Sequence, residues 1–373
     1  MEIAIIGGGI TGLSTALALK KLGRHSTVYE QAPELNEIGA GVWLQPNAVR
    51  VLQWLGIESE VKSQGCVMNK MEITDSQLKP FKKIKSDVVS DQHGNQTIAI
   101  HRGKLQRILY DQFAEQGNIE LDRTFKSLTF ETSRVQLKFE QADASADIVL
   151  GADGIHSKVR SALGFPSQFR KTNQVCCRGI ANIKLPKNLQ HEGKEVWGKK
   201  LRFGFSQLSE EAVYFFAVIN KEICPEALDT TSLNSLFKGF HPVIGEIIKH
   251  APSLHITELM DLKRLDSWHQ STCCLLGDAA HATTPNMGQG ACQGMEDAYH
   301  ISQLLDLLPP TEAFKTFEEI RRAKVDYVVN NSWRFGKMAH HSVGQQVLKG
   351  VMKMTPEKVM SNQMNKLYSI EAL

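Results

Sequence analysis

Residues 2–12, EIAIIGGGITG, join a short apolar run to a glycine-rich turn, and they decide the fold. Gly7, Gly9 and Gly12 have the GxGxxG spacing. Apolar residues then recur at i, i+3 and i+4, which predicts a helix, and residues 26–30, STVYE, are typical of a strand that ends in an acid. This order of strand, turn, helix, strand and acid within about 30 residues predicts a dinucleotide-binding βαβ unit.

Each position of this unit has a physical reason. Gly7 permits the tight turn, Gly9 lets a pyrophosphate approach the backbone amides at the helix N-terminus, and Gly12 lets the helix pack closely on the strand. The carboxylate of Glu30 can accept hydrogen bonds from ribose hydroxyls. Because NAD and FAD both bind to this fingerprint, these residues leave the choice between the two open.

Composition sets the bounds on the rest of the chain. Its 373 residues, 42% hydrophobic and 22% charged, are enough for two domains or for one domain with a large insertion. A net charge of +3 requires neither nucleic acid nor an acidic partner. The absence of a basic leader, and of an apolar run of about 18 to 20 residues, predicts a cytoplasmic protein without a transmembrane segment. Seven cysteines without CxxC spacing, and no HExxH pattern, predict reduced thiols and no metal site.

Three further stretches contain candidate ligand-binding residues. Gly41 lies in GAGVWLQPNA, which alone predicts a loop and an amphipathic helix. Arg102 begins a helix, where a cation is unfavourable to the macrodipole, and this favours contact with an anion. In GADGIHSKVR, Asp153 and Gly154 predict a tight turn and Arg160 can face a phosphate or a ribose. An ordinary strand-to-helix turn with an exposed Arg explains that last stretch equally well.

The stretch GDAAHATTPNMGQGACQGMEDA, residues 277–298, follows a short apolar run that predicts a buried strand. In this stretch Asp278 is expected to lie close to the N-terminus of a helix that begins at Gly290. A helix N-terminus stabilises anionic charge, such as that of a reduced flavin. The glycines, including Gly288, let a planar ring lie against the backbone, and Pro285 shapes the space above it.

From residue 172 onward the pattern changes to the alternation typical of β-strands. Tyr214 and Phe216 share one strand face, and Arg202 lies in a neighbouring apolar run. Such a sheet suits a flat, partly polar ligand, although a core stripe with one edge Arg explains each residue as well. Residues 71–99 are a candidate for another strand of this sheet.

These motifs, in this order and spacing, resemble the FAD-dependent aromatic hydroxylase family, the single-component class A flavoprotein monooxygenases. Salicylate, 3-hydroxybenzoate, alkylquinolone and urate hydroxylases are the relatives that the sequence resembles, over almost the whole chain. The resemblance implies an α/β fold with a Rossmann-like FAD-binding domain, an inserted mostly β (α+β) substrate domain and C-terminal helices. The expected boundaries are 1–70, 100–171 and 265–330 for the discontinuous FAD-binding domain, 71–99 and 172–264 for the substrate domain, and 331–373 for the helical segment.

The resemblance also implies roles for individual residues. FAD-binding positions would be Gly7, Gly9, Gly12 and Glu30 at the ADP half, Arg102 near the pyrophosphate, Asp278 at the ribityl chain, Gly41, and Gly288, Gly290 and Pro285 at the isoalloxazine. Asp153 and Arg160 match a motif that the family uses for both FAD and NAD(P)H. Cys292 and Gly294 depart from the family pattern, where Asn and a larger residue are common, and this puts contacts at the pyrimidine edge in question.

The implied reaction is hydroxylation of a small aromatic or heteroaromatic substrate through a flavin C4a-hydroperoxide, with NADH or NADPH and O2 consumed. Candidate substrate and catalytic residues are Arg178, Arg202, Tyr214, Pro285 and His281, the last of which is as well explained by a structural role. One alternative is a FAD-containing protein that sequesters an aromatic ligand without oxygenating it. Another is a flavin-dependent halogenase, which the missing WxWxIP signature disfavours. A monomer or a homodimer is expected.

Overall fold

The described residues form two six-stranded sheets, two three-stranded sheets and a helical C-terminal region. The structure, a computed structural model, describes residues 1–35, 40–81, 90, 91, 93–115 and 117–371. Its strands are β1 Ile3–Ile6, β2 Ser26–Tyr29, β3 Gly41–Leu44, β4 Cys66–Val67, β5 Lys70–Asp75, β6 Ile98–His101, β7 Asn118–Glu120, β8 Phe125–Phe130, β9 Val135–Phe139, β10 Ala144–Ala146, β11 Ile148–Gly151, β12 Phe169–Asn182, β13 Glu192–Gly198, β14 Leu201–Ser209, β15 Ala212–Asn220, β16 His255–Leu262, β17 His269–Gln270 and β18 Cys273–Leu275. Its α-helices are α1 Ile10–Lys21, α2 Pro46–Leu55, α3 Glu58–Gln64, α4 Arg102–Ala114, α5 Lys158–Ala162, α6 Thr230–Leu236, α7 Pro242–Lys249, α8 Asp278–His281, α9 Gly290–Leu307, α10 Pro310–Ala339, α11 Ser342–Met354 and α12 Glu357–Tyr368.

The apolar run at the N-terminus forms β1, in the interior of the first sheet, whose order is β17-β18-β11-β1-β2-β7. β1 pairs in parallel with both β11 and β2, and all four of its residues are buried, as is usual for a strand covered on both faces. Helix α1 follows directly and packs on α9. A Cβ atom on Gly12 would lie 1.9 Å from the carbonyl oxygen of Gly7, so only glycine allows this close packing of helix on turn. The predicted βαβ unit and the α/β fold class are confirmed.

The second sheet has the order β16-β12-β15-β14-β13-β5, with antiparallel neighbours except for the parallel pair β13 and β5. Alternation along β15 decides which side chains face which way. Phe215 packs with Phe203 and Phe205 in an apolar core under α6 and α7. Tyr214 and Phe216 lie on the opposite face, which lines a cavity.

The predicted substrate segment 71–99 divides between two sheets. β5 joins the second sheet, whereas β6 pairs with β3 and β4 in a small antiparallel sheet. Residues 82–89 and 92 of this segment lie outside the described part of the chain. The domain boundaries stay a prediction.

The C-terminal helices cover the cavity-facing side of the second sheet. α10 begins at Pro310, well before the segment 331–373 that the sequence indicated, and it contacts β12 and α11. Among the described helices, none combines the length and the apolar character that a membrane crossing requires.

Candidate active site

Two cavities meet between the sheets. The first, about 600 Å³, lies at the carboxyl ends of β1, β2 and β11, where parallel α/β sheets bind ligands. The second, about 680 Å³, lies between the first cavity and the second sheet. Val42, Asp278, Gly290 and Ala291 line both cavities, so the two form one continuous site.

The turn between β1 and α1 forms one wall of the first cavity. Gly7 has φ +108°, and a Cβ atom there would lie 2.5 Å from the carbonyl oxygen of Ala152. A Cβ atom on Gly9 would meet no heavy atom within 4 Å. Because the first turn of α1 contains no acidic residue and Gly9 gives it no side-chain cap, its backbone amides are available to an anion.

Glu30, at the end of β2, lines the same cavity. Its Oε2 accepts a hydrogen bond from the amide of Gly8 at 2.6 Å, and its Oε1 accepts one from the amide of Ala32 at 2.9 Å. These bonds fix the carboxylate. Since a carboxylate has about four acceptor positions, it can still accept hydrogen bonds from two hydroxyls of a ligand.

Basic side chains face the first cavity from three elements of the chain. Arg102 begins α4, whose amides at Gly103 and Lys104 are capped by Nδ1 of His101. Arg102, Arg123 and Lys158 all line the cavity. An anionic ligand such as a pyrophosphate therefore matches this wall in charge.

Asp153 supplies a buried acceptor on the opposite wall. Its Oδ2 accepts hydrogen bonds from the amides of Lys158 at 2.7 Å and Val159 at 3.0 Å, at the start of α5. Its Oδ1 is buried and finds no hydrogen-bond partner among the described residues. Burial raises the pKa of Asp153. A ligand hydroxyl would satisfy this oxygen, which is the clearest indication that the cavity fits a polar cofactor.

Asp278 lies where the cavities join. Its side chain is exposed to the cleft, and desolvation by the surrounding protein raises its pKa, while the charges of His281 and Arg102 act in the opposite direction. Beside it, a Cβ atom on Gly290 would meet no atom nearer than Cγ2 of Thr283 at 3.8 Å. The backbone at the start of α9 is therefore open to a flat ring.

The turn before α9 completes this junction. Pro285, Gly288 and Gly290 all line the second cavity. Gly288 has φ +64°, a conformation that favours glycine, and Gln45 Nε2 donates to the carbonyl oxygen of Met287 at 2.7 Å. The turn is thus held in one shape at the edge of the cavity.

Gly41 and Tyr214 are in direct contact at the second cavity. A Cβ atom on Gly41 would lie 2.4 Å from Cγ of Tyr214. Tyr214 forms a side-chain hydrogen bond with Arg178, and burial raises its pKa although the charge of Arg178 lowers it. Arg178 Nη1 also donates to Oγ1 of Thr257 at 3.1 Å. The phenol of Tyr214 is therefore neutral, and it is fixed between the backbone of Gly41 and the guanidinium of Arg178.

Arg202 lines the same cavity, but each of its three guanidinium nitrogens already has a hydrogen-bond partner. It donates to Nε2 of His340 at 3.0 Å, to Oε1 of Glu195 at 3.1 Å and to Oδ1 of Asn286. Burial and the charge of Arg202 lower the pKa of His340 to about 2, so His340 is a neutral acceptor. Arg202 thereby ties β13 and β14 to the turn before α9 and to the end of α10.

Three predicted site residues do not line either cavity. Arg160 was expected to face a phosphate or a ribose, but it is fully buried and donates to the carbonyl oxygens of Ala279 at 2.9 Å and Ile155 at 2.7 Å. Gly12 serves packing, as described above. His281 is buried, and its Nε2 lies 2.6 Å from Oδ2 of Asp297.

Asp297 belongs to a buried ionic network that sequence reasoning missed. Its Oδ2 also accepts from the amide of Gly277 at 2.8 Å, and its Oδ1 accepts from Nε of Arg321 at 2.8 Å. Although burial raises the pKa of Asp297, the charges of His281 and Arg321 hold it below its usual range. Arg321 pairs with Glu296 as well, at 2.7 Å. The network fixes the turn that carries Asp278. The adjacent acidic residues Glu296 and Asp297 in the stretch GMEDA are the sequence feature that could have indicated it.

The two departures from the family pattern have a packing explanation. A Cβ atom on Gly294 would lie 2.1 Å from Oγ1 of Thr11, so a larger residue would collide with α1. Cys292 is buried, its Sγ accepts from the amide of Gln45 at 3.4 Å, and burial raises its pKa to about 12. Both residues therefore serve the contacts of α9 with its neighbours.

The C-terminal helices supply a wall of the second cavity that the sequence did not reveal. These lining residues are Tyr327, Asn331, Arg334, Phe335 and Met338 from α10, Leu348 from α11, and Met364, Leu367 and Tyr368 from α12. Their spacing in the sequence indicates only helices that pack on something apolar.

Comparisons with known proteins agree with this geometry. A family model described as an FAD binding domain matches residues 1–332. The aurachin C monooxygenase/isomerase of Stigmatella aurantiaca is 31% identical over 351 residues, which cover 91% of this chain and 89% of that protein. The 2-heptyl-3-hydroxy-4(1H)-quinolone synthase of Pseudomonas aeruginosa is 28% identical over 351 residues, with 91% of this chain and 89% of that protein covered.

Among solved structures, Klebsiella pneumoniae HpxO complexed with FAD and uric acid has the same fold, with a TM-score of 0.88, 24% identity and coverage of 99% of this chain and 96% of that chain. The family match spans most of the chain, and the cavity that fits FAD lies within it. This chain is therefore a flavoprotein monooxygenase that belongs to the FAD-dependent aromatic hydroxylase family.

Proposed function

We propose that this monooxygenase uses NADH or NADPH and O2 to hydroxylate a small aromatic or heteroaromatic ring. The junction of two unlike cavities at Asp278 and Gly290 carries the proposal. The first cavity has the amides, cations and acceptors that suit a dinucleotide, and the second is mostly apolar with a few polar groups, as ligand pockets usually are. A flavin ring at the junction would lie between them.

The residues of the first cavity would hold FAD. The amides at the start of α1 and the side chain of Arg102 would bind the pyrophosphate, Glu30 the adenosine ribose, and Asp278 the ribityl chain. Bound FAD would supply the redox chemistry, in which NAD(P)H provides two electrons and O2 gives one oxygen atom to the ring and one to water.

Tyr214 would orient the substrate in the second cavity. Its phenol is neutral and forms a hydrogen bond with Arg178. With Arg178 as the donor in that bond, the phenol can donate its own proton to a carbonyl or phenolate oxygen of the substrate. Phe216 and Trp43 line the same space and would contact the faces of the ring.

We assign positioning roles to Arg202 and His281. The hydrogen bonds of Arg202 hold the turn at Pro285 against the second sheet, and the pair of His281 with Asp297 holds the turn at Asp278. The helices α10, α11 and α12 cover the second cavity and would limit the entry of water to the reacting ring.

The first experiment is a visible spectrum of the purified protein, followed by NADH and NADPH oxidation with a panel of phenols, quinolones and urate. A flavin spectrum, oxidation stimulated by one compound, and isotopically labelled oxygen from O2 in its product are expected. A flavin spectrum without stimulation across the panel favours the sequestering alternative. A colourless protein that cannot be reconstituted with FAD would overturn the proposal. Cytoplasmic location and the choice between monomer and homodimer stay predictions.

A further inference from the structure

Exposed apolar side chains are concentrated in one short segment near the C-terminus. Of ten exposed large hydrophobic residues in the described part of the chain, five lie within residues 343–359. Val343 is 73% exposed and Met354 84% exposed. A contiguous exposed apolar patch marks an interaction surface far more often than scattered residues do.

Four of these residues form an apolar stripe on α11, which consists of Val343, Val347, Val351 and Met354. Positions i, i+4, i+8 and i+11 lie on one face of a helix. The opposite face of α11 is anchored to the protein. On that side Gln345 Nε2 donates to the carbonyl oxygens of Gly198 at 2.8 Å and Ala339 at 2.7 Å. The stripe therefore points outward from a fixed helix.

The stripe lies in a basic segment of the protein. Residues 331–373 contain six Lys and Arg but only two Glu and no Asp, whereas the whole chain has a net charge of only +3. Lys353, near the end of α11, and Lys358, near the start of α12, are both exposed. Lys349 lies on the flank of α11, with its Nζ 4.2 Å from the ring centroid of Phe81.

We propose that α11 docks onto an anionic lipid surface. The apolar stripe would enter the boundary between headgroups and acyl chains, and Lys353 and Lys358 would contact lipid phosphates. An amphipathic helix with lysines beside a wide apolar face has the composition of an interfacial helix. Leu348 of the same helix lines the second cavity, so the docked protein would hold that cavity beside the lipid.

A second copy of the chain fits this face less well. A twofold interface brings each residue near its own symmetry copy or near a shared set of neighbours. Lys353 and Lys358 of the two copies would then lie close together, and Glu357 is the one acidic residue in α11 and α12 to offset them. Lipid phosphates instead complement these charges. Lipid binding by α11 would not depend on turnover at the flavin site.

Co-sedimentation with vesicles tests the proposal on the full-length, FAD-loaded protein. Vesicles of phosphatidylcholine mixed with phosphatidylglycerol are compared with vesicles of phosphatidylcholine alone. The double variant Val347→Glu/Val351→Glu is compared with Ile256→Glu/Leu307→Glu, which places the same charges at two exposed apolar positions away from α11. We expect the wild-type protein and this control to bind the anionic vesicles. The partition coefficient of the α11 variant for these vesicles should be lower by about tenfold or more.

Three outcomes would overturn the proposal. They are no wild-type binding to anionic vesicles, equal binding by the α11 variant, and a wild-type dimer in light scattering that the α11 variant converts to a monomer. The flavin spectrum and melting temperature verify folding of each variant. If the α11 variant does not fold, Lys353→Gln/Lys358→Gln replaces it, and unchanged vesicle binding by that variant would equally refute lipid docking.

Discussion

The backbone of Gly41 rests directly on the ring of Tyr214, because a Cβ atom at position 41 would lie only 2.4 Å from Cγ of that ring. The contact joins β3, at the edge of the cofactor cavity, to β15, on the floor of the second cavity. The position of the phenol is thus set by a glycine that sequence reasoning had placed in the cofactor site.

Replacement Gly41→Ala should displace the Tyr214 ring. Overpacking of this kind typically destabilises by about 1–3 kcal/mol, and the local shift should lower kcat/KM by roughly tenfold while FAD remains bound. Steady-state kinetics and the flavin content of the purified variant measure the two effects. Gly350→Ala is the control, since a Cβ atom there would meet no atom within 4 Å. Unchanged kinetics in Gly41→Ala would contradict a role for this contact in substrate orientation.

Replacement Tyr214→Phe should lower hydroxylation more than flavin content. It removes the hydroxyl that bonds to Arg178, and a buried partner left unsatisfied costs about 1–3 kcal/mol, which corresponds to a loss of roughly 5- to 150-fold in kcat/KM. Product formation and flavin absorbance are measured on the same preparation. Tyr110→Phe, on α4 and outside both cavities, should change neither quantity. Equal losses of product formation and of flavin would refute the assignment of Tyr214 to the substrate.

Replacement Arg102→Ala should weaken FAD binding. Loss of a charge-assisted hydrogen bond to a phosphate costs about 1.5–3 kcal/mol, which corresponds to a Kd about 10- to 100-fold higher, with a smaller dependence on salt. Titration of the apoprotein by flavin fluorescence measures this Kd. Arg107→Ala removes a cation from the same helix, where Arg107 pairs with Asp111 instead, and should leave the Kd unchanged. Matching Kd values for both variants would place the pyrophosphate away from Arg102.

Replacement Asp297→Asn should destabilise the fold and change its response to acid. Breaking a buried ion pair by removal of one partner costs about 3–5 kcal/mol, here at the contacts with His281 and Arg321. The pKa of Asp297 is depressed in the folded state, so its stabilisation is complete above the unfolded pKa of about 3.9 and is lost as the pH falls below it.

Thermal unfolding midpoints between neutral and acidic pH measure this effect. The wild-type midpoint should fall as the pH drops below about 4, and the midpoint of Asp297→Asn should be lower at neutral pH with a shallower decline in acid. Asp143→Asn, at an exposed position, should follow the wild-type curve. Parallel curves for Asp297→Asn and the wild type would mean that Asp297 is not ionised in the folded protein.

The amino-acid sequence by itself determined the βαβ unit, the α/β fold class and the family. These features depend on local spacing, since the apolar run Ile3–Ile6, the glycines after it and Glu30 each act within one short segment. The alternation in β15 likewise separated Tyr214 and Phe216 from Phe215, because the strand period is two residues.

Only the tertiary structure decided which polar residues reach the cavities. Arg160 and His281 occur in motifs beside the cofactor site, yet neither side chain faces it. Arg160 donates to the carbonyl oxygens of Ala279 and Ile155, and His281 pairs with Asp297. Gly41 belongs to the same motif region, but its closest contact is a tyrosine 173 positions away in the chain. Contacts over such separations depend on how sheets and helices pack, and neither spacing nor periodicity encodes them. For the same reason, the cavity wall formed by α10, α11 and α12 appears only when the chain is folded.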